Sequence, residues 1–256
     1  MTRFSHLVRL DVVDSTNRYA ATAARAGAEE GFVVVADEQS DGRGRLGRTW
    51  VAEKGEALLC SIVFRPTLSV ADLHLVPTAV ALAALDAIEQ VTRRRVSLKW
   101  PNDLVAGEHK LGGILSEVVD GSSELSSRAI VVGLGINLSL SDVFSRRIAE
   151  SAGPQATPVT GLCELVGEPI DRDELLLAFL DRLEERYMAL DQDAESTMDE
   201  YGGRCSTIGR TVRATTANGE LDGLAVGVSS DGALEVESDG RLVRLEAADV
   251  IHLREA

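Results

Sequence analysis

The pattern of the chain changes near Thr207, and that change dictates two units. Upstream, apolar strand runs alternate with helical stripes. Downstream, short segments are separated by the turn dipeptides Asn218-Gly219, Asp231-Gly232 and Asp239-Gly240. Residues 234–237 (LEVE) and 242–245 (LVRL) alternate apolar and polar side chains, the period of a strand with one buried face. The last stretch is therefore expected to form a small closed β-barrel of about five strands. The expected fold is α+β. A mixed β-sheet with flanking helices spans residues 1–206, and the barrel spans 207–256.

In the first unit, residues 32–36 (FVVVA), 57–64 (ALLCSIVF) and 129–138 (AIVVGLGINL) are almost uninterrupted apolar runs, as expected of strands covered on both faces. Further strands are expected over 4–13 and 96–100. A hairpin is expected from 104 to 118, turning at Gly107-Glu108-His109. Helices are expected over 16–26, with Asp14 and Ser15 as candidate N-caps and Gly27 closing it, and over 77–91, 160–166 and 171–190. Helix 77–91 carries no charge before Asp86, so most of it should be buried. Pro154 and Pro158 mark a loop.

Charge and composition exclude several classes of function. With 26 basic and 41 acidic residues the net charge is −15, which repels a phosphate backbone and disfavours DNA binding. No run of about 18 apolar residues indicates a membrane span. The N-terminus lacks the apolar core of a signal peptide. Cys60, Cys163 and Cys205 are few, odd in number and far apart. That usage fits a reducing compartment, and a cytoplasmic location is expected. No P-loop, G-x-S-x-G elbow or H-E-x-x-H motif is present, and no ligand set for a metal can be assigned.

Four segments carry the chemistry. Residues 42–47 satisfy G-x-G-x-x-G, but the dinucleotide fingerprint requires a following helix and an acid about 20 residues on. A strand follows instead, and residues 61–67 contain no acid. What remains is Arg43, Arg45 and Arg48 on a glycine-rich backbone in an acidic chain. It is either an anion-binding loop built from guanidinium forks or a solvated basic loop. Residues 99–103 (KWPND) end a strand in a turn. They are either polar binding groups held at a rigid sheet edge or ordinary turn formers. Residues 110–117 (KLGGILSE) place two glycines inside a strand, which weakens it unless a ligand or another backbone passes closely. Residues 133–138 (GLGINL) repeat that feature, and there a bulge is the alternative. Two of only three lysines, Lys99 and Lys110, flank one expected hairpin.

Taken together, these segments resemble the biotin protein ligases (biotin–acetyl-CoA-carboxylase ligases). The resemblance rests on Asp14-Ser15-Thr16-Asn17, Glu38-Gln39 leading into GRGRLGRTW at 42–50, KWPND, KLGGILSE and GLGIN at 133–137, in that order. It covers nearly the whole chain. It implies a class II synthetase-like catalytic domain followed by an SH3-like C-terminal barrel. It also implies a two-step reaction. Biotin and MgATP give biotinyl-5′-adenylate and pyrophosphate, and a lysine amine of a carrier-protein domain then displaces AMP.

By this resemblance, Ser15, Thr16, Asn17, Gln39, Arg43, Gly44, Arg45, Lys110 and Gly113 contact biotin. Arg45, Arg48, Trp50, Lys99, Asn102 and Asn137 serve the nucleotide. Lys110, Arg43, Arg45 and Asp103 act in catalysis, with Asp103 orienting Lys110 or assisting the incoming amine. The cofactors implied are ATP and Mg2+. The partner implied is the biotin carboxyl-carrier domain of a carboxylase, with the ligase monomeric or a homodimer. The motif begins at Asp14, which leaves no room for the N-terminal DNA-binding module of bifunctional members, so ligation without repression is expected. Lipoate–protein ligases of the same superfamily are the nearest rival, and a non-catalytic adenylate-binding protein is another.

Overall fold

The computed structural model describes residues 3–119, 128–151, 157–190, 193–216, 219–246 and 248–253. Pro154 and Asn218, both expected in turns, lie outside them. The elements of the first unit are β1 (His6–Val13), α1 (Thr16–Arg25), β2 (Phe32–Gln39), β3 (Ala57–Phe64), α2 (Leu75–Thr92), β4 (Ser97–Lys99), β5 (Asp103–Ala106), β6 (His109–Val119), β7 (Ala129–Asn137), α3 (Asp142–Ser151), α4 (Leu162–Val166), α5 (Arg172–Ala189) and α6 (Ala194–Gly203). The seven strands form one sheet in the order β1-β2-β3-β7-β6-β5-β4. Only β1 and β2 run parallel, joined through α1; the other neighbours are antiparallel. The mixed sheet is therefore as expected.

The apolar runs occupy the middle of the sheet because they are covered on both sides. On β3, Leu58, Cys60, Ile62 and Phe64 join the large core with α2 and α5. Val63, on the opposite face, packs with Ala20, Ala21 and Ala24 of α1. Small alanines let α1 lie close to the strands. Helix α2 begins two residues earlier than expected, with Pro77 in its first turn, where no N–H is required. Residues Val70–Thr92, which include α2, are long and apolar enough by length and composition to cross a bilayer, but α2 is a core helix buried along most of its length, as expected. Asp171 caps α5, accepting from the backbone N–H groups of Asp173 at 2.8 Å and Glu174 at 3.1 Å. Ser15 stands at the N-cap of α1 but makes no capping bond through its side chain. Its own N–H donates to Asp14 Oδ1 at 2.6 Å. Helices α3 and α6 were not anticipated. α6 ends in two glycines and buries only Met198 and Tyr201, too weak a stripe to read from spacing.

The second unit holds β8 (Thr211–Thr216), β9 (Gly219–Val228), β10 (Leu234–Ser238), β11 (Arg241–Leu245) and β12 (Asp249–His252), in the order β11-β10-β9-β8-β12. The expected five strands are present. Closure is not: β11 and β12 are the two edges, and no ladder joins them among the described residues. β4 holds the segment that leads into this sheet, Leu98 N–H donating to Arg204 O at 2.9 Å and Ser206 N–H to Leu98 O at 2.7 Å, and Trp100 just beyond β4 ties the sheet itself, its Nε1 donating to Gly232 O at 3.0 Å. Val212, Ala214, Ala225 and Val236 continue the large core across this junction.

Candidate active site

One cavity of about 870 Å3 opens on the α1 face of the main sheet, beyond the N-terminal end of that helix. Strand alternation decides what faces it. Register puts Asp103, Gly113, Gly135 and Leu59 in one row across β5, β6, β7 and β3, and Leu115, Gly133 and Ser61 in the next. Every residue expected in the site lines this cavity: Ser15, Thr16, Asn17, Gln39, Arg43, Gly44, Arg45, Arg48, Trp50, Lys99, Asn102, Asp103, Lys110, Gly113 and Asn137. Arg43 and Arg45 thus share one space with the Lys110 amine.

The glycines of 133–137 act differently from the expectation. A Cβ on Gly133 would lie 2.1 Å from Asn17 Oδ1, and one on Gly135 would lie 2.7 Å from the Trp50 ring. These two glycines admit protein side chains, not a ligand directly. Asn17 is buried at 3% exposure, and its amide is fully used. Oδ1 lies 2.6 Å from Ser61 Oγ, and Nδ2 donates to Leu115 O at 3.1 Å and Glu117 Oε2 at 2.8 Å. Asn17 therefore shapes the wall instead of offering free donors. Beside it, Gln39 Oε1 accepts from the Thr16 N–H at 2.8 Å and the Thr16 hydroxyl at 3.0 Å. This end of the cavity is a small, neutral, hydrogen-bonding compartment.

The other end is cationic. Lys110 Nζ donates to Asp103 Oδ1 at 2.6 Å and lies 5.8 Å from the Trp50 ring centroid. Arg45 Nη1 donates to Asn102 Oδ1 at 3.3 Å, while Asn102 Nδ2 is held by Ile114 O at 2.7 Å. Burial pulls the Arg45 guanidinium below its ordinary value, opposed by the charges of Asp249 and Asp103. Lys99 donates to Thr157 Oγ1 at 3.2 Å, and burial, with nearby Lys110, likewise lowers its ammonium. Desolvated cations gathered in one cavity are an arrangement completed by an anion. Asn137, 2% exposed, donates through Nδ2 to Thr160 O at 3.1 Å and pins the loop that closes this end.

The arginine loop is a small pinched hairpin, bridged between Arg43 and Thr49, with Gly44 N–H donating to Arg48 O at 2.7 Å. At its tip Leu46 holds a φ of 55° and is 72% exposed. Among the described residues, Arg43 Nε and Trp50 Nε1 are buried without a hydrogen-bond partner.

Several contributors escaped the sequence reading. Glu117 shares a face with Gly113 and Leu115, so period-two alternation on β6 could have revealed it. Thr157 had no local signal. Asp249, on β12, pairs with Arg48, and Thr215, Val250 and Ile251 also line the cavity, so the C-terminal sheet supplies part of the wall.

Residues 10–137 match the model of the biotin/lipoate A/B protein ligase family, half of the chain, and residues 207–253 match that of the biotin protein ligase C terminal domain. The chain belongs to this family. Among family relatives, the biotin–[acetyl-CoA-carboxylase] ligase of Mycobacterium tuberculosis is 32% identical over 255 residues, covering 96% of this chain and 90% of the relative. The corresponding ligase of Paracoccus denitrificans is 31% identical, covering 93% and 96%. In three dimensions the family fold is shared with the biotin protein ligase from Aquifex aeolicus in complex with biotin and ATP. That match has a TM-score of 0.79 at 27% identity and covers 98% of this chain and all of the other.

Proposed function

We infer that this chain is a biotin protein ligase, which activates biotin with MgATP and transfers it to a lysine of a carrier domain. The observation that carries this is the convergence of five separate sequence segments on one cavity with a neutral end and a cationic end. A biotin carboxylate and a triphosphate repel each other, so their condensation requires fixed cations at the point of contact. A carboxylate oxygen of biotin attacks the α-phosphorus, the bond to the β-phosphate oxygen breaks, and pyrophosphate leaves. The neutral carrier amine then attacks the mixed-anhydride carbonyl, AMP leaves with the bonding pair, and the nitrogen gives up a proton to become the amide.

Roles are those the family resemblance implies, and the gathering of these residues in one cavity supports them. Ser15, Thr16 and Gln39 address the ureido ring, Gly113 thins the wall, and Asn17 holds its neighbours. Arg43, Gly44, Arg45 and Lys110 border the biotin chain and carboxyl. Asp103 fixes the Lys110 ammonium so that its remaining protons face the reacting oxygens. Arg48, Lys99, Trp50, Asn102 and Asn137 border the nucleotide. Mg2+ enters with its substrate as MgATP, and phosphate oxygens with one or two carboxylates suffice to hold it.

We read residues 1–206 as the class II synthetase-like domain and 207–256 as an SH3-like domain; the span of the C-terminal family match supports the latter. Three free cysteines and the charge of −15 support a cytoplasmic enzyme that does not bind DNA. Incubation with biotin, MgATP and a carrier domain should add one biotinyl mass to the acceptor lysine. Lipoate and octanoate run in parallel should not substitute. Absence of the mass shift, or equal use of lipoate, refutes the reading.

A further inference from the structure

We propose that Glu117 is a positioning residue that locks Arg43 to the rigid end of the biotin compartment. This rests on the ligase reading above. One carboxylate oxygen, Glu117 Oε2, accepts from Arg43 Nη2 at 2.9 Å and from Asn17 Nδ2 at 2.8 Å. Asn17 cannot yield, because it lies on α1 with its amide saturated and Gly133 directly against it. Arg43, by contrast, sits on a pinched loop, and its Nε is buried without a partner among the described residues. Glu117 therefore transmits the fixed position of α1 to the first arginine of the loop. An acceptor-only carboxylate suits this bridge, since both neighbours are donors. The arrangement leaves Arg43 acting through directed N–H groups, its net charge offset by Glu117. The chain Arg43–Glu117–Asn17–Ser61–Thr16–Gln39, its last link made by the Thr16 N–H, thus ties the part of the site facing the biotin chain to the part facing its rings.

Three variants test this by biotin-dependent ATP–pyrophosphate exchange. Glu117→Gln keeps the length and an oxygen able to accept from both donors. Glu117→Asp keeps the charge but is shorter by about 1.5 Å. Glu117→Ala removes the bridge. KM for biotin at saturating MgATP should rise about tenfold or more in Glu117→Ala and Glu117→Asp, with KM for MgATP unchanged. Glu117→Gln should restore it to within about threefold. In the Arg43→Ala background, Glu117→Ala should add nothing further, because its effect passes through Arg43. If Glu117→Ala fails to fold, the Gln and Asp variants decide by the same split. Unchanged biotin KM in folded variants, Asp outperforming Gln, or additive effects with Arg43→Ala overturns the proposal while the ligase reading stands. Wild-type protein with no biotin-dependent exchange overturns both.

Discussion

Replacing Gly133 by alanine puts a number on how tightly the neutral end of the cavity is built. The new Cβ would lie 2.1 Å from Asn17 Oδ1, 2.9 Å from Asn17 Cγ and 3.3 Å from Ser61 Oγ. Ordinary contact begins at 3.4 Å, so relief requires a shift of 3.4 − 2.1 = 1.3 Å. A displacement of that size breaks the Asn17–Ser61 contact of 2.6 Å and strains the bonds to Leu115 and Glu117. Overpacking costs about 1–3 kcal/mol and each lost buried hydrogen bond about 0.5–1.5 kcal/mol, so the total is about 3–5 kcal/mol. For a chain of this size that lowers Tm by roughly 10 °C. Thermal unfolding followed by circular dichroism measures it. Gly203→Ala is the control, since no atom lies within 4 Å of its Cβ. That variant should hold or raise Tm slightly. Asn17→Ala combined with Gly133→Ala should cost less than the sum of the singles. A Gly133→Ala protein melting within about 2 °C of wild type would refute the steric argument.

Three further outcomes are expected. Lys110→Ala should cut pyrophosphate exchange about 100- to 1,000-fold with little change in Tm, since it removes a preorganised charge from a half-buried pair; near-normal exchange would exclude the role. Trypsin should cut at Arg43, Arg45 and Arg48 faster in the free protein than with biotin plus MgATP, and faster still in Asp249→Asn, which releases Arg48. Equal cleavage rates with and without ligand would contradict the placement of this loop against the bound substrates. Burial, with the charges of Lys99 and Arg210, lowers the His252 imidazole from 6.5 to about 4. Between those values the unfolded chain binds a proton that the native state refuses, so this group's contribution to stability is lost as pH falls. His252→Gln should flatten the fall in Tm between pH 7 and 5, and parallel profiles for the two proteins would rule the effect out.

Periodicity made most of the fold legible. The uninterrupted runs of β3 and β7 implied strands covered on both faces, and α1 and α2 cover them. Local chemistry left each segment with a bland alternative, and the family resemblance joined them into one set of residues, all of which line one cavity. Their roles were less legible. A glycine signals close approach but not of what, and only the sheet register shows that Gly133 meets Asn17 and Gly135 meets Trp50. Helix α6 lacked a strong stripe, and an open edge between β11 and β12 depends on strand curvature, which alternation does not encode.

Sequence alone determined the ingredients: a mixed sheet, a run of short C-terminal strands, and a basic glycine loop in an acidic chain. Those are local properties, carried by side-chain period and composition within a few residues. The tertiary structure decided which charges are shared. Arg43 meets Glu117 across 74 positions, and Arg48 meets Asp249 across 201. Such pairs arise because strand register and domain packing bring distant side chains to one cavity, and no short-range pattern records that distance.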